Sequence, residues 1–363
     1  MNDFADFQDV ILRKIPLIDL RAPLEYRSGS LPGAVNLPIM TDDERHQVGI
    51  CYKHRGREEA IKLGARLVAG EKRAERIEDW LSQISAQPET KIYCSRGGLR
   101  SRIAREWIET ESGYRTPLLK GGYKAFRGYL LEHLIPDKLR SEPIVLGGRT
   151  GTGKTILINR LNNSIDLEAL ANHRGSSFGK HITSQPGQAD FESDLAAALI
   201  RHESQKHRYI IVEDEGRHIG KRWLPKELSQ FFAEGRLIIV EASLLTRINA
   251  TCREYVVNGQ KTYEQQYGPS LGMMKWQLQM ESGIDRIARR LGPARYRRIK
   301  QSLHDAVRNQ YERGEFDEHK VWIEELLRFY YDPMYDYQLE KDERDVIFRG
   351  NAGAVYEYVT SMD

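Results

Sequence analysis

Apolar residues in the first third of the chain alternate between short continuous runs and helical spacing. Residues 16–21 (PLIDLR), 34–38 (AVNLP) and 91–94 (KIYC) predict short buried strands. Apolar residues three or four positions apart predict helices within 57–82 and 99–110. Strands that alternate with helices are typical of a parallel sheet, so this part of the chain predicts an α/β domain.

The same alternation returns later in the chain. Residues 143–148, 209–213 and 237–241 predict strands, and helical spacing dominates after residue 260. We therefore predict a second α/β domain with a mainly helical C-terminal part.

The two patterns are separated by a polar stretch of mixed charge, residues 132–143. We place the domain boundary within it, which gives an N-terminal domain of residues 1–138 and a C-terminal domain of residues 139–363. The full length of 363 residues agrees with the usual size of two domains.

Charge and cysteine content narrow the class of protein. The 55 basic and 52 acidic side chains leave a net charge of +3, so any nucleic-acid-binding surface must be a local patch. The acidic N-terminus lacks the basic start of a signal peptide, and no apolar run is long enough to cross a membrane. Cys51, Cys94 and Cys252 lie far apart, which argues against a zinc ribbon or a disulfide framework. We expect a cytoplasmic protein with no membrane contact.

The first chemical motif is a cysteine at the end of a predicted strand, followed by a glycine turn and a helix. Gly97 and Gly98 allow backbone amides to converge on an anion, and such a loop lowers the pKa of a thiol at its base. Arg96 and Arg100 would add positive charge, so Cys94 is a candidate nucleophile. A packed cysteine beside an ordinary turn is the alternative.

These residues resemble the rhodanese family. The similarity extends to Asp19-x-Arg21, Glu25, Gly29, Leu31-Pro32-Gly33-Ala34-x-Asn36-Leu37-Pro38 and Lys120-Gly121-Gly122-Tyr123. The resemblance implies a rhodanese-like domain whose cysteine carries sulfur or selenium. The usual rhodanese loop has four residues between the cysteine and the closing arginine, whereas this loop has five, as in Cdc25-like phosphatases. The loop therefore leaves chalcogen transfer and phosphate-ester chemistry open.

The second motif matches the phosphate-binding loop GxxxxGK[ST] and lies between a predicted strand and a helix, as this loop requires. It predicts a P-loop NTPase-like α/β domain in which backbone amides wrap a diphosphate, Lys154 neutralises it and Thr155 is a candidate Mg²⁺ ligand. The predicted diphosphate-binding residues are Gly148, Gly151, Gly153, Lys154, Thr155, Glu213 and Asp214.

Glu213 and Asp214 belong to this prediction because they end a buried strand in the manner of a Walker-B acid. The acidic run Glu213-Asp214-Glu215 leaves open which carboxylate would face a metal. Arg247 follows the next strand and is a weaker candidate for phosphate contact.

The combination of the two motifs resembles the tRNA 2-selenouridine synthase family over residues 15 to 350. In the second domain the matching segments are 166–179 (DLEALANHRGSSFG), 212–215 (VEDE), 253–255 (REY) and 330–338 (YYDPMYDYQ). In the first domain they are 36–38 (NLP), 42–45 (DDER), 48–53 (VGICYK) and 62–64 (KLG).

The resemblance implies a two-step reaction on wobble 2-thiouridine of tRNA. Geranyl diphosphate first alkylates the sulfur, and selenophosphate then replaces the geranylthio group with selenium. It implies diphosphate binding and geranyl transfer at Lys154, and selenation at Cys94, as selenium carrier or as nucleophilic assistant. It also implies a partner enzyme that supplies selenophosphate, and we expect no tightly bound cofactor.

Two further segments bear on the substrates. Residues 286–300 carry no acidic residue and are candidates for tRNA binding; their basic residues are Arg286, Arg289, Arg290, Arg295, Arg297, Arg298 and Lys300. A solvated helix face is the equal alternative. Residues 271–280 are rich in Met and Leu and either pack in the core, which the helical spacing favours, or form a wall for a geranyl chain.

The residues also permit other functions. A P-loop kinase or NTPase fused to a rhodanese-like sulfurtransferase or phosphatase, acting on small molecules, is the first alternative. A regulatory protein, in which a nucleotide switches the P-loop and the cysteine domain is a scaffold, is the second. ATP turnover without tRNA would favour the former, and full function of Cys94→Ser would favour the latter.

Overall fold

The computed structural model describes residues 3–362, with side chains from residue 7 onward. In this part of the chain we number ten strands β1 to β10, which are Leu17–Asp19, Ala34–Asn36, Lys91–Tyr93, Glu142–Gly147, Ser164–Ile165, Tyr209–Glu213, His218–Ile219, Arg222–Trp223, Arg236–Val240 and Val346–Gly350. The helices α1 to α17 are Asp3–Leu12, Pro23–Arg27, Asp42–Leu67, Glu71–Ala86, Leu99–Ser112, Gly122–Glu132, Lys154–Ile158, Leu167–Ala171, Gln188–Gln205, Lys226–Ala233, Leu244–Thr251, Gly259–Tyr267, Pro269–Leu291, Pro293–Arg313, His319–Leu326, Asp332–Glu340 and Ala352–Met362.

The chain divides into two compact units. The first consists of residues 1–139 and 186–205, and the second of residues 140–185 and 206–363. The predicted division differs in one element, because it assigned α9 to the second domain. In the structure α9 packs on α1 and α6, and its carboxylate Asp190 accepts hydrogen bonds from the Ser30 amide and hydroxyl at 2.7 and 2.8 Å.

The first unit is built on a three-stranded parallel sheet in the order β2-β1-β3. Ile18 and Ile92 are neighbours across β1 and β3, and both are buried with Trp80 and Ala104 of the flanking helices. The parallel sheet follows the sequence prediction, and it brings the carboxyl ends of β1 and β3 to one edge.

A buried polar network fixes that edge. The Arg21 guanidinium donates to both carboxylate oxygens of Asp19 and to the carbonyl of Gly29. The Tyr93 hydroxyl donates to the same carboxylate at 2.7 Å, so the ends of β1 and β3 are tied together directly before Cys94. Because Asp19 and Arg21 are both buried, each charge depends on the other for compensation.

The second unit contains a five-stranded parallel sheet in the order β10-β9-β4-β6-β5. The central strand β4 is a short apolar run with buried neighbours on both sides, which is typical of parallel sheets covered on both faces. The edge strands β5 and β10 were not predicted. The α/β fold class with parallel sheets is confirmed.

Long helices form a second hydrophobic core in this unit. Trp276 and Met280 of α13 are buried there with Leu303 of α14 and Trp322 of α15. For these two residues of the segment 271–280 the core interpretation is confirmed, whereas Met274 is half exposed. Within residues 3–362, no helix combines the length and the apolar character needed to cross a bilayer.

Candidate active site

The Cys94 loop connects β3 to the first turn of α5. The sulfur accepts a hydrogen bond from the Gly98 amide at 3.3 Å, directly before the helix begins at Leu99. The other side of the loop is fixed by α6, since the Tyr123 amide donates to the Cys94 carbonyl at 3.0 Å and the Lys124 amide to the Ser95 carbonyl at 2.9 Å. The chain therefore places the thiol at the positive end of a helix, as the sequence predicts.

The glycine turn at residues 121–122 is required by this packing. Gly122 has a φ of 61°, and a Cβ atom there would lie 2.2 Å from the Cys94 carbonyl oxygen and 2.4 Å from the Gly97 amide nitrogen. Any side chain at this position would therefore push the Cys94 loop away from α6.

The loop stabilises the thiolate. Burial opposes ionisation of Cys94, which is 3% exposed, but the polar groups of Ser101, the Arg96 amide and the charge of Arg100 outweigh this effect and lower the pKa of the thiol. Cys252 provides a contrast, because burial raises the pKa of its thiol. Cys94 is thus the activated cysteine of these two.

The two arginines of the loop have different surroundings. Arg96 is exposed. Arg100 donates to both carboxylate oxygens of Glu25 at 2.6 and 3.1 Å, and Glu25 also pairs with Arg45 at 2.9 Å. The charge of Arg100 is therefore shared with a carboxylate. An anion at this loop would be bound mainly by the backbone amides and by Arg96.

The P-loop follows β4 and leads into α7. Lys154 donates a hydrogen bond to the carbonyl of Gly148 at 2.7 Å. Its ammonium group is therefore held against the backbone of the P-loop. Gly151 has a φ of 84°, and a Cβ atom there would lie 2.8 Å from the Arg247 carbonyl oxygen, so the loop is packed closely on α11. The strand–loop–helix geometry of the prediction is present.

The loop faces a cavity of about 530 Å³. Residues of all the matching segments in the second domain line it: Glu168, Arg174, Gly175, Ser176, Glu213, Glu215, Arg253, Glu254, Tyr255, Tyr331 and Met334. Gly151, Gly153, Lys154 and Thr155 line it as well. Segments that lie more than a hundred residues apart in sequence therefore form one site around the P-loop.

Three carboxylates meet in this cavity. Oxygen atoms of Glu168, Glu213 and Glu215 lie within 4.8 Å of one another. Burial, followed by the repulsion between neighbouring carboxylates, raises the pKa of each to about 7. Glu213 is 3% exposed, and its Oε1 atom has no hydrogen-bond partner in the described part of the chain.

This arrangement fits a divalent cation. Mg²⁺ prefers carboxylate oxygens, and a buried, unpartnered oxygen among acidic neighbours is compensated by a cation. Thr155, the predicted Mg²⁺ ligand, lines the same cavity. The residues that would hold the ion are thus Thr155 and the three glutamates.

Two residues of the predicted diphosphate site, Gly148 and Asp214, are not among those that line the P-loop cavity. Asp214 does not line the P-loop cavity; its carboxylate accepts a hydrogen bond from Arg344 at 2.9 Å. Side chains alternate in extended backbone, so Glu213 and Glu215 share one side and Asp214 takes the other. Glu215 is one of the carboxylates that the acidic run left open, whereas Glu168 was missed; the motif segment that contains it was the available signal.

Arg247 does not offer its charge to the cavity. It is 2% exposed, its guanidinium is paired with the Asp332 carboxylate, and its Nε donates to the Thr150 carbonyl at 2.8 Å. Arg247 therefore positions the P-loop. The phosphate contact that its place after a strand had suggested is not available to it.

The basic run spans the end of α13 and the start of α14. Arg298 pairs with Glu325 and Lys300 with Asp285. The five other arginines are exposed and have no carboxylate partner among the described residues; they are Arg286, Arg289, Arg290, Arg295 and Arg297. Most of the run is therefore a positive surface.

Comparisons with known proteins match the two parts of the chain to two different family models. Residues 5–129 match the model of the rhodanese-like domain, and residues 141–363 match the model of the tRNA 2-selenouridine synthase AAA domain. The chain is 46% identical to the tRNA 2-selenouridine synthase of Hydrogenovibrio crunogenus, over 98% of each protein. It is 45% identical to that of Sulfurovum sp., over 98% of this chain and 97% of the relative. Identity to that of Cupriavidus pinatubonensis is 44%, over 99% and 98%.

Proposed function

The chain belongs to the tRNA 2-selenouridine synthase family, and from this premise we propose that it converts wobble 2-thiouridine of tRNA to 2-selenouridine through an S-geranyl intermediate. Geranyl diphosphate and selenophosphate are the proposed cosubstrates. The observation that carries the proposal is the pair of anion sites: a P-loop cavity suited to a diphosphate, and a low-pKa cysteine in a loop suited to a tetrahedral anion.

In the first step, the thiocarbonyl sulfur attacks C1 of the geranyl group. The C1–O bond breaks, diphosphate leaves and the nucleobase loses the N3 proton. Lys154 and the P-loop amides stabilise the charge that develops on the departing diphosphate. A divalent cation held by the three glutamates would neutralise further negative charge on this leaving group.

The cavity also offers apolar surface beside the phosphate site. Tyr255, Tyr331 and Met334 line it together with Lys154. These side chains suit the apolar isoprenoid part of geranyl diphosphate better than they suit the polar sugar of a nucleoside triphosphate.

In the second step, selenium of selenophosphate attacks C2 of the alkylated base. The C2–S bond breaks, geranylthiol leaves, and hydrolysis of the Se–P bond releases phosphate. Alkylation makes this substitution feasible because a thiolate is a better leaving group than the unmodified sulfur. The Cys94 loop binds the selenophosphate, and the thiolate of Cys94 assists as a nucleophile at phosphorus: it takes up the phosphoryl group when the Se–P bond breaks, and water then releases phosphate and restores the thiolate.

The basic surface of residues 286–300 is the proposed contact with the tRNA backbone. Its unpaired arginines provide the charge that phosphates require, and binding should weaken as salt rises. The need for selenophosphate implies a partner enzyme that produces it.

The test is nucleoside mass spectrometry on tRNA that contains 2-thiouridine, incubated with the full chain, geranyl diphosphate and selenophosphate. Native protein should give S-geranyl-2-thiouridine without selenophosphate and 2-selenouridine with it. Cys94→Ala should stop at the geranylated nucleoside, and Lys154→Ala should form neither product. Cys252→Ala is the matched control, since this buried cysteine does not itself line the P-loop cavity and should retain both steps.

An unchanged nucleoside with native protein would refute the proposal. Hydrolysis of ATP without tRNA would then support the alternative of a P-loop NTPase joined to a rhodanese-like domain. Loss of both products in Cys94→Ala would refute the assignment of the two steps to separate sites.

A further inference from the structure

The first unit contains a cavity of about 760 Å³ that neither reaction step above uses. It lies between the two halves of α3 and the start of α5, and we call it the α3–α5 cavity. Its volume falls within the range of about 300–1,000 Å³ that is usual for small-molecule sites. The size alone permits a ligand of ten or more carbon atoms.

The break in α3 creates this space. Gly56 has a φ of 81°, which interrupts the helix, so residues before and after the break form two walls. Val48 and Ile50 come from the first half, and Ala60 and Ile61 from the second. Ile103 of α5 also lines the cavity and packs against the core of the first unit.

The walls expose apolar surface that the unit does not cover itself. Ile50 is 49% exposed, Ile61 is 37% exposed and Leu99 is 36% exposed. Apolar side chains grouped around one open cavity are a mark of a binding site, whereas isolated ones are ordinary surface. The ligand class that fits these walls is a branched hydrocarbon chain without polar groups.

The cavity adjoins the Cys94 loop. Leu99 and Arg100, which line it, are the first two residues of α5, whose N-terminus stabilises the Cys94 thiolate. Lys53 and Arg57 also line the cavity and provide positive charge suited to the phosphates of a nucleotide, whereas the charge of Arg45 is compensated by Glu25. A nucleotide that carries an apolar chain would thus fit this cavity, with the chain against the apolar walls and the phosphates near the basic side chains.

Resting on the proposed function, we infer that the α3–α5 cavity binds the geranyl chain of S-geranyl-2-thiouridine during selenation. The chain enters the cavity while the modified base lies at the Cys94 loop. After the C2–S bond breaks, the same cavity holds the geranylthiol until it leaves. The cavity thereby gives the selenation step a preference for a base that carries the long apolar group.

The test uses anticodon stem-loop RNA that is alkylated in advance, so that prenyl transfer is bypassed. The full chain receives selenophosphate and RNA with either S-geranyl- or S-methyl-2-thiouridine, and kcat/KM for 2-selenouridine is measured. Ala65→Trp fills the cavity from α3, and Glu58→Trp adds the same side chain to α3 at an exposed position outside it.

Native protein and Glu58→Trp should prefer the geranyl substrate by at least about tenfold. Ala65→Trp should lose at least about tenfold on the geranyl substrate and little on the methyl substrate, with geranylation from geranyl diphosphate unchanged. Equal activity of native protein on both substrates, or an equal loss on both in Ala65→Trp, would overturn the inference. Absence of selenation with every substrate would instead overturn the proposed function.

A binding measurement keeps the inference testable in that last case. Methyl NMR spectra of full-length protein labelled at isoleucine are recorded during titration with the nucleoside S-geranyl-2-thiouridine. Saturable shifts of Ile50, Ile61 and Ile103 support the cavity as the site of the chain, and unchanged signals refute it. Titrations with dodecanol and with an apolar helical peptide are the controls. If either ligand shifts the same signals as strongly as the nucleoside does, the cavity is not specific for the geranyl chain and the inference is overturned.

Discussion

The buried ion pair behind the P-loop gives a strong test of the structure. Asp332→Asn keeps the shape of the side chain but removes its charge, so the Arg247 guanidinium stays buried without a counter-ion. Removing one partner of a buried pair costs about 3–5 kcal/mol. For a unit of this size, this loss corresponds to a fall in Tm of about 10 °C. Arg247 also holds the Thr150 carbonyl, so the P-loop should bind diphosphate more weakly.

The chain provides a matched control for this substitution. Asp336 lies one helical turn further along α16 and pairs with Arg149, but both of these side chains are more than 40% exposed. Asp336→Asn should therefore cost less than about 1 kcal/mol.

Thermal and urea unfolding followed by tryptophan fluorescence measure the difference, since Trp276 and Trp322 are buried in the same unit. The double variant Arg247→Met with Asp332→Asn should be more stable than Asp332→Asn alone, because no buried charge is left unpaired. Equal losses of stability for Asp332→Asn and Asp336→Asn would show that burial does not set the cost of breaking the Arg247–Asp332 pair.

Three further predictions concern the two sites and the basic surface. Ser101→Ala should raise the pKa of Cys94, because it removes a buried hydroxyl that favours the thiolate; the pH dependence of alkylation by iodoacetamide measures the change, and an unchanged profile would exclude a role for this hydroxyl. Without divalent cations, folding favours the protonated form of Glu213, because the folded protein raises its pKa from an ordinary 4.5 to about 7. The contribution of Glu213 to stability is then greatest below pH 4.5 and is lost as the pH rises through about 7; Glu213→Gln should lose less stability over this range in urea unfolding, and Mg²⁺ should reverse the loss. Arg295→Glu should weaken tRNA binding and reduce its salt dependence in filter-binding assays. Arg298→Glu should have a smaller effect, because Arg298 is already paired with Glu325. Equal effects of the two substitutions would argue against the basic surface as the tRNA contact.

The local geometry of both anion sites follows from the sequence, because each motif lies within one strand–loop–helix segment. The hydrogen bonds from Gly98 to the Cys94 sulfur and from Lys154 to Gly148 each join residues fewer than ten positions apart. Hydrophobic spacing likewise predicts the inner strands, since these are continuous apolar runs. For these parts, local chemistry determines the structure.

Contacts between distant segments could not be derived in the same way. Arg247 meets Asp332 at a distance of 85 residues, and Glu168 meets Glu213 only because β5 and β6 are neighbours in the sheet. Helix α9 carries an ordinary amphipathic pattern that does not specify which unit it packs on. Edge strands such as β10 are only partly buried, so their hydrophobic pattern is weak.

The two anion sites differ in what must neutralise their charge. The P-loop cavity contains three carboxylates beside Lys154, so a diphosphate can enter only when protons or a cation offset their repulsion. At the Cys94 loop, the nearby carboxylate Glu25 is already paired with Arg100 and Arg45, and backbone amides face the incoming anion. We therefore expect prenyl transfer near neutral pH to depend on a divalent cation. Anion binding at Cys94 needs no such partner, because its charges are balanced within the chain.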